Sequence, residues 1–493
     1  MEVDVLVVGA GPAGLTAAAE LRRLGVPRVL VADREAEAGG IPRHSWHTGY
    51  GLRDLHRVLA GPAYARRLAA TATGSGAQLR TGCTVTQLRT GGDGLSASLT
   101  AGSGLEEVRP AAVLLATGCR ERPRAARLVP GDRPAGVLTT GELQQRVYLG
   151  GERLPGRAVV VGAEHVSFSA AVTLVHAGAR VVALVTEHAR HQSYAAFRLG
   201  AALRWGIPVW TSSTVTRVTG ADGRLASVDI TGMDGRPPRT VECDWLVFTG
   251  DWIPDHELAR TSGLTMDPGT LGPAIDTSLA TSAPGVFAAG NLIHAAETAD
   301  VAALSGRHVA GQIAAYLAAP ASAASTSSAA SASLAGARVP VVAEPPLQWI
   351  SPNAITTDGT PPPAGRFVLR SADLRKQARL EARQDGRLLA RSRRLRLIPG
   401  RPVYLRARWL AAVEPDGGPV RVGVAGIAGL AGVRPISRRP AGGWRPGCGT
   451  AARARPGRPP RPGRAGDQGR SRSGSRGAGP GRPRGAGRVA GAR

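Results

Sequence analysis

Apolar positions along the chain repeat one rhythm twice. Val3 to Val8 is a β-branched run broken only by Asp4, the pattern of a strand buried in a parallel sheet. Gly9-Ala10-Gly11-Pro12-Ala13-Gly14 follows at once. Next comes a stretch in which Leu15, Ala18, Leu21 and Leu24 share one helical face. Gly25 ends that helix, and Arg28 to Ala32 is a second strand, closed by Asp33. The rhythm restarts at Arg157 to Val161, passes through Gly162-Ala163-Glu164-His165-Val166-Ser167 into a helix reaching Ala177, and returns as a strand from Val181 to Val185. Two further strands end in matching turns, Ala116-Thr117-Gly118 and Phe248-Thr249-Gly250. Gly285 to Asn291 is another strand-to-loop turn, leading into a helix-like run from about Ala295 to Leu317.

The pattern predicts an α/β fold with two Rossmann-like dinucleotide-binding domains, the second inserted in the first. The first takes residues 1–120 and 275–318, the second 121–274. An Ala/Ser-rich linker is expected at 319–336. A small β-rich domain is expected over 337–430. There Arg379 to Arg391 reads as a hairpin around Asp385-Gly386, and Val403, Leu405, Ala407 and Trp409 alternate with polar neighbours.

From about residue 431 the periodicity collapses into Arg, Gly, Pro, Ala and Ser, a composition that cannot offset chain entropy by burial and so predicts disorder. Arg434 to Arg493 holds sixteen arginines against the single Asp467, more than half of the formal charge of +26. Lys376 is the only lysine among the 62 basic residues, which points to a GC-rich coding bias. This bias and the abrupt loss of pattern favour a shifted reading frame for the tail. An electrostatic arm for nucleic acid or an anionic surface, and an inert extension, stay open. A nucleic-acid role would rest on the tail alone.

Met1-Glu2-Val3-Asp4 lacks the basic start of a signal peptide. The longest apolar zone, Ala158 to Val185, is interrupted by Glu164, His165, His176 and Arg180, so no membrane span is expected and cytoplasm is the default. The four cysteines, Cys83, Cys119, Cys243 and Cys448, form no CxxC. A disulfide scaffold, a structural metal, a cysteine-held iron–sulfur cluster and a dithiol relay are therefore not expected.

The first glycine turn has a physical logic. Gly9 permits the tight turn, Gly11 lets backbone approach a diphosphate at the helix N-terminus, and Gly14 lets helix and strand pack closely. Pro12 and Ala13 complete the turn, and Asp33 is placed to take ribose hydroxyls. The second turn is broken: Glu164 replaces the second glycine and Ser167 the third, with Glu187 where a ribose-binding acid would stand. A carboxylate there repels a diphosphate, so NAD(P) binding is expected to be lost or weakened. A differently bent loop that still binds NAD(P)H is the alternative, as is a plain helix-start role for Glu164 with His165 at the surface.

The GxGxxG turn, Gly39-Gly40, Thr117-Gly118 and Gly290-Asn291 together resemble the two-domain flavoproteins of the pyridine nucleotide-disulfide oxidoreductase superfamily. The resemblance implies FAD in the first domain, contacted by Gly9, Gly11, Pro12, Ala13, Gly14, Asp33, Gly39, Gly40, Arg43, Thr117, Gly118, Gly290 and Asn291. Asn291 departs from the family's usual Asp. Gly39-Gly40-Ile41-Pro42-Arg43-His44, with Thr249 to Leu258, resembles a narrower group. That group is the flavin subunits of opine oxidase and hydrogen cyanide synthase and the related part of the sarcosine oxidase alpha subunit. It implies oxidation of a C–N bond in an amine, amino acid or opine, commonly beside a second flavoprotein and an iron–sulfur component. With the cysteine set missing, the electron acceptor is oxygen, a quinone or a partner subunit. Arg43 and His44 are the candidates for touching substrate or flavin, against a packing role for each. An NAD(P)H-dependent flavin reductase feeding a partner, and a non-catalytic flavin electron-transfer or scaffold subunit, are the competing readings.

Overall fold

A computed structural model describes residues 1–92, 94–193, 199, 204–319 and 338–426. The linker beyond Ala319 and the basic tail at 431–493, Cys448 included, lie outside the described residues.

The first apolar run forms strand Glu2–Val8 at the centre of a sheet, with Val5, Leu6 and Val7 fully buried. Strands Gln78–Arg80, Val29–Ala32, Glu2–Val8, Gly104–Leu115 and Val286–Ala288 run parallel in that order. Gly104–Leu115 is long enough to serve two layers. Its first half pairs antiparallel with Gly94–Ala101, which pairs with Thr84–Gly91. The crossover helix Pro12–Arg23 stops where Gly25 takes a φ of +88°. Helix Ala299–Ala318 starts four residues later than its apolar pattern suggests, because residues 291–297 are held as a closed loop.

The second rhythm forms five parallel strands: Val137–Thr139, Trp245–Phe248, Gly156–Val161, Ala179–Val185 and Val209–Trp210. Three antiparallel strands, Ser213–Ala221, Arg224–Gly232 and Arg239–Glu242, cover it. Two short strands, Cys119–Glu121 and Trp252–Pro254, pair antiparallel and carry the chain out of and back to the first sheet. Ala259 and Leu264 already belong to the first core.

The C-terminal residues form a β-domain around Phe367, Leu369, Leu380 and Val422. The hairpin pairs Leu380–Gln384 with Arg387–Arg391, and Asp385 and Gly386 take positive φ of 48° and 82° at its turn. Val403, Leu405, Ala407 and Trp409 are all buried, although strand Pro402–Arg406 ends before Trp409. The domain is anchored to the first: Asn353 accepts from the Ile275 amide at 3.0 Å, and the Thr277 and Thr356 hydroxyls meet at 2.8 Å. Among the described residues no helix is long and apolar enough to cross a membrane.

Candidate functional site

The first crevice opens at the end of strand Glu2–Val8. Gly9 has φ +108°, and a Cβ there would press on the Ala116 carbonyl; a Cβ on Gly14 would overlap the Gly9 carbonyl. Gly11 differs. Its backbone is ordinary extended chain, φ −78° and ψ −176°, and a Cβ there would meet nothing within 4 Å. The side of Gly11 that faces open space is where the superfamily's diphosphate would lie. Helix Pro12–Arg23 has no side-chain cap, so the Ala13 and Gly14 amides at its start have no intrahelical acceptor and suit an anion. The residues present therefore fit FAD.

The surrounding turns are held by side chains. Asp33 accepts the Ala10 amide at 2.5 Å and the Glu35 amide at 2.8 Å, fixing its carboxylate beside the glycine turn. Gly39 donates to the Ala10 carbonyl at 2.9 Å, and a Cβ on Gly40 would come within 3.0 Å of the Gly11 Cα. The Thr117 hydroxyl donates to Asp255 O at 2.7 Å and the Asp255 amide to Gly118 O at 2.9 Å, so this turn is tied to the returning inter-domain loop. Gly290, φ +72°, packs against Ala13, where a Cβ would fall 2.8 Å from the Ala13 Cβ.

Three sequence-predicted residues are engaged by the chain's own groups. Asn291 spends its amide on its own loop, accepting from Glu297 N at 2.8 Å and donating to Glu297 O at 3.1 Å. Arg43 donates to Glu37 O at 2.6 Å and to the Glu35 carboxylate at 3.1 Å, which ties its guanidinium to the loop following Asp33 rather than leaving a fork open for a substrate carboxylate. His44 is 2 % exposed, its Nδ1 lacks a hydrogen-bond partner, and burial, with the Arg43 charge, lowers its pKa to about 4, so the ring is neutral near pH 7. Burial pushes the Cys83, Cys119 and Cys243 thiols upward, and none is paired, so they are poor nucleophiles.

The second crevice is built on the same plan, with the chain's own side chains at its turn. Gly162 has φ +130°, and a Cβ there would overlap the Thr249 hydroxyl. Ser167 is fully buried; its Oγ accepts the Glu164 amide at 3.1 Å and lies 2.6 Å from Thr249 Oγ1. The Glu164 carboxylate abuts Gly250, where a Cβ would overlap it. Burial raises its pKa to about 7, against the pull of Arg370 and Arg127. Arg127 donates to Thr249 O at 3.0 Å and Gly250 O at 2.7 Å. The C-terminal domain reaches the same place: a Cβ on Gly400 would stand 3.7 Å from Glu164 Oε2, and Arg401 donates to the Gln192 and Ser193 carbonyls. A diphosphate at this helix start would meet the Glu164 carboxylate. Glu187 is exposed at the end of strand Ala179–Val185. His165, expected at the surface, is half-buried, and burial and the Arg401 charge lower its pKa to about 4.

Sequence reasoning missed two groups. Arg370, 8 % exposed, enters from the C-terminal domain. It donates to Gly400 O at 2.8 Å and Ala296 O at 3.1 Å, pairs with Glu297 at 3.5 Å, and lies 5.3 Å over the Trp349 ring. Nothing local marks it, because its partners are remote in sequence. Gly306 lets helix Ala299–Ala318 cross helix Pro12–Arg23, since a Cβ there would overlap the Ala13 carbonyl. Its signal was a glycine inside a helical run, one of two there with Gly311, which meets nothing.

Residues 3–306 match the pyridine nucleotide-disulphide oxidoreductase family. Among curated proteins, the chain is 27 % identical over 312 residues to a ferredoxin–NADP reductase of Ignicoccus hospitalis, covering 62 % of this chain and 95 % of that protein. It is 32 % identical over 269 residues to the sarcosine oxidase alpha subunit of a Corynebacterium, covering 52 % of this chain but 27 % of that protein. It is 33 % identical over 187 residues to an opine oxidase subunit of Agrobacterium tumefaciens, 36 % and 35 % of the two chains. The chain thus spans only about a quarter to a third of these two oxidase subunits. Thioredoxin reductase of T. acidophilum (TM-score 0.54, 20 % identity, 64 % of this chain and 98 % of that one) and bacillithiol disulfide reductase of Bacillus cereus (0.53, 20 %, 64 % and 99 %) share the fold. With the FAD crevice in place and a family match over residues 3–306, the chain belongs to the pyridine nucleotide-disulphide oxidoreductase family and is an FAD-dependent oxidoreductase.

Proposed function

We propose that the chain oxidises a C–N bond of an amine, amino acid or opine, acting as the flavin subunit of a larger enzyme. The observation that carries this reading is Glu164. Its carboxylate at the second helix start, with Gly400 and Arg401 across it, disfavours NAD(P)H as the electron source, so electrons enter from an organic donor. The similarity to the sarcosine oxidase and opine oxidase subunits supports an amine donor.

Bound FAD supplies the hydride acceptor. The chain's own residues would hold it: the amides of Ala13 and Gly14 are free to take the diphosphate, Asp33 would serve the adenosine ribose, and the Gly39-Gly40 and Gly290 turns flank the same crevice. With FAD bound, the group would supply the two-electron acceptor for a C–N oxidation, and oxygen, a quinone or a partner subunit would be the final acceptor.

A second reading has its own support. The ferredoxin–NADP reductase is matched over nearly its whole length, which favours a pyridine-nucleotide-linked reductase. Anaerobic mixing of the FAD-loaded chain separates the two. Under our reading NADPH leaves the flavin band intact and an amine, amino acid or opine bleaches it. Rapid bleaching by stoichiometric NADPH overturns it in favour of the reductase. Bleaching by neither, with or without co-purified partner, favours a non-catalytic electron-transfer or scaffold role.

A further inference from the structure

The C-terminal β-domain lies beyond residues 3–306, the part that carries the family match, and it touches the other two domains unequally. Toward the first domain its contacts are broad. Besides those of Asn353 and Thr356, the Arg338 guanidinium pairs with Asp276 at 2.9 Å and donates to Thr281 O at 3.0 Å. The Tyr404 hydroxyl donates to Glu297 at 3.3 Å, and the Trp349 ring stacks on His294 with centroids 5.2 Å apart. These two domains form one body. Toward the second domain the β-domain reaches with the turn 398–401, which the Arg401 amide closes on Ile398 O at 3.0 Å.

The first and second domains are joined by two short paired strands, Cys119–Glu121 and Trp252–Pro254. Among the described residues, no buried apolar cluster draws side chains from both domains. Domains joined in this way rotate relative to one another unless an interface holds them. One direct contact is the stack of Trp46 on Tyr148, with centroids 5.3 Å apart, but Trp46 is 57 % exposed, so this contact sits at the surface.

The turn 398–401 supplies a second hold, remote in sequence from the paired strands. The buried Arg370 guanidinium donates to Gly400 O at 2.8 Å and to Ala296 O at 3.1 Å, which pins the tip of the turn to the first domain. Arg401, next along the chain, donates to the Gln192 and Ser193 carbonyls of the second domain. The Gln192 amide in turn donates to Ala163 O at 2.9 Å, within the second glycine turn. A continuous line of hydrogen bonds therefore runs from the first domain through Arg370, Gly400 and Arg401 to the second glycine turn.

We propose that the turn 398–401 is a latch that fixes the orientation of the second domain against the first, with Arg370 as its anchor and Arg401 as its grip. The chain then keeps one domain arrangement, and the first crevice is reached without rotation of the second domain. The latch does not depend on which substrate the flavin oxidises.

The test is a distance measurement by pulsed dipolar spectroscopy on the FAD-loaded full chain. Cys83 and Cys243 are buried and Cys119 is half-buried, so only Cys448 is replaced, by serine. Spin labels go on Leu105→Cys in the first domain and Met233→Cys in the second, both well exposed. A reference pair joins Leu105→Cys to Leu388→Cys in the β-domain. With Arg401 intact the 105–233 pair gives one narrow distance. Arg401→Glu at least doubles the width of that distribution and leaves the 105–388 pair unchanged, because the β-domain stays with the first domain. Arg370→Leu does the same from the other end of the latch, and Arg401→Glu decides alone if that variant does not fold. A broad 105–233 distribution with Arg401 intact, an unchanged width in Arg401→Glu, or equal broadening of both pairs overturns the proposal. The readout is a distance, so its failure is distinct from a failure of flavin bleaching.

Discussion

Gly11→Ala separates what the first turn does for the fold from what it does for the cofactor. The backbone at Gly11, φ −78° and ψ −176°, is open to any L-residue, and the added methyl meets nothing within 4 Å. The cofactor-free protein should therefore gain about 0.4–1 kcal/mol, because alanine has less conformational freedom to lose on folding. The same methyl projects into the space the diphosphate needs. Overpacking by one such group costs about 1–3 kcal/mol, which at 1.4 kcal/mol per decade is a roughly 5- to 150-fold loss of FAD affinity. In saturating FAD that loss cancels an equal part of the stabilisation by ligand, so the variant becomes less stable than wild type in the presence of FAD and more stable in its absence. Urea unfolding with and without FAD, together with quenching of FAD fluorescence on binding, reads both signs. Wild-type FAD affinity in Gly11→Ala, or a destabilised cofactor-free form, would refute the placement of the diphosphate.

Glu164→Gln should change the pH dependence of stability. Burial holds the Glu164 carboxyl protonated in the folded state up to about pH 7, whereas unfolded it ionises near 4.5, so its contribution falls as pH rises between those values and is flat above. At 1.36 kcal/mol per unit that is about 3 kcal/mol, and the difference between wild type and variant in urea midpoints at pH 5 and pH 7.5 isolates it from the opposite trend of the buried histidines His44, His165 and His294. Arg370→Leu leaves Glu297 without its buried counter-charge and should cost about 3–5 kcal/mol, partly recovered by adding Glu297→Gln; a loss under 1 kcal/mol by the same measurement would deny the clamp. Gly306→Ala should cost about 1–3 kcal/mol by forcing apart the helices at the Ala13 carbonyl, and a neutral urea midpoint would contradict that close crossing.

What the sequence made legible was local. The glycine turn, Asp33 and both sheet rhythms are read within about thirty residues, where strand, turn and helix constrain one another. The Asp385-Gly386 hairpin and the inward set from Val403 to Trp409 follow from period-two alternation in the same way. The contacts that no local pattern marks share a cause. Arg370 meets Ala296 across 74 residues and Arg401 meets Gln192 across 209, so no window of sequence contains both partners. Arg43 and Asn291 sit where the family motif puts them, but their side chains answer to neighbours six residues away, Glu37 and Glu297, which the motif does not specify. The late start of the last helix is the same effect, with the Asn291 amide holding residues that would otherwise add a turn.

The second domain shows why a fold outlasts its fingerprint. Gly162 is required by Thr249, an internal contact at the end of two strands, and would be needed with or without a nucleotide. Position 167 needs only a small residue, and serine there adds a hydroxyl contact to Thr249. Position 164 is the helix cap, its carboxyl accepting the Ser167 amide, and burial keeps it protonated up to about pH 7. The guanidinium groups of Arg127 and Arg370, from two different domains, act against that shift and favour the ionised form. The C-terminal β-domain meets this helix start, with Gly400 beside the Glu164 carboxyl and Arg401 donating to the Gln192 and Ser193 carbonyls, so the second domain is tied to the third at the place where the first domain keeps an open glycine turn.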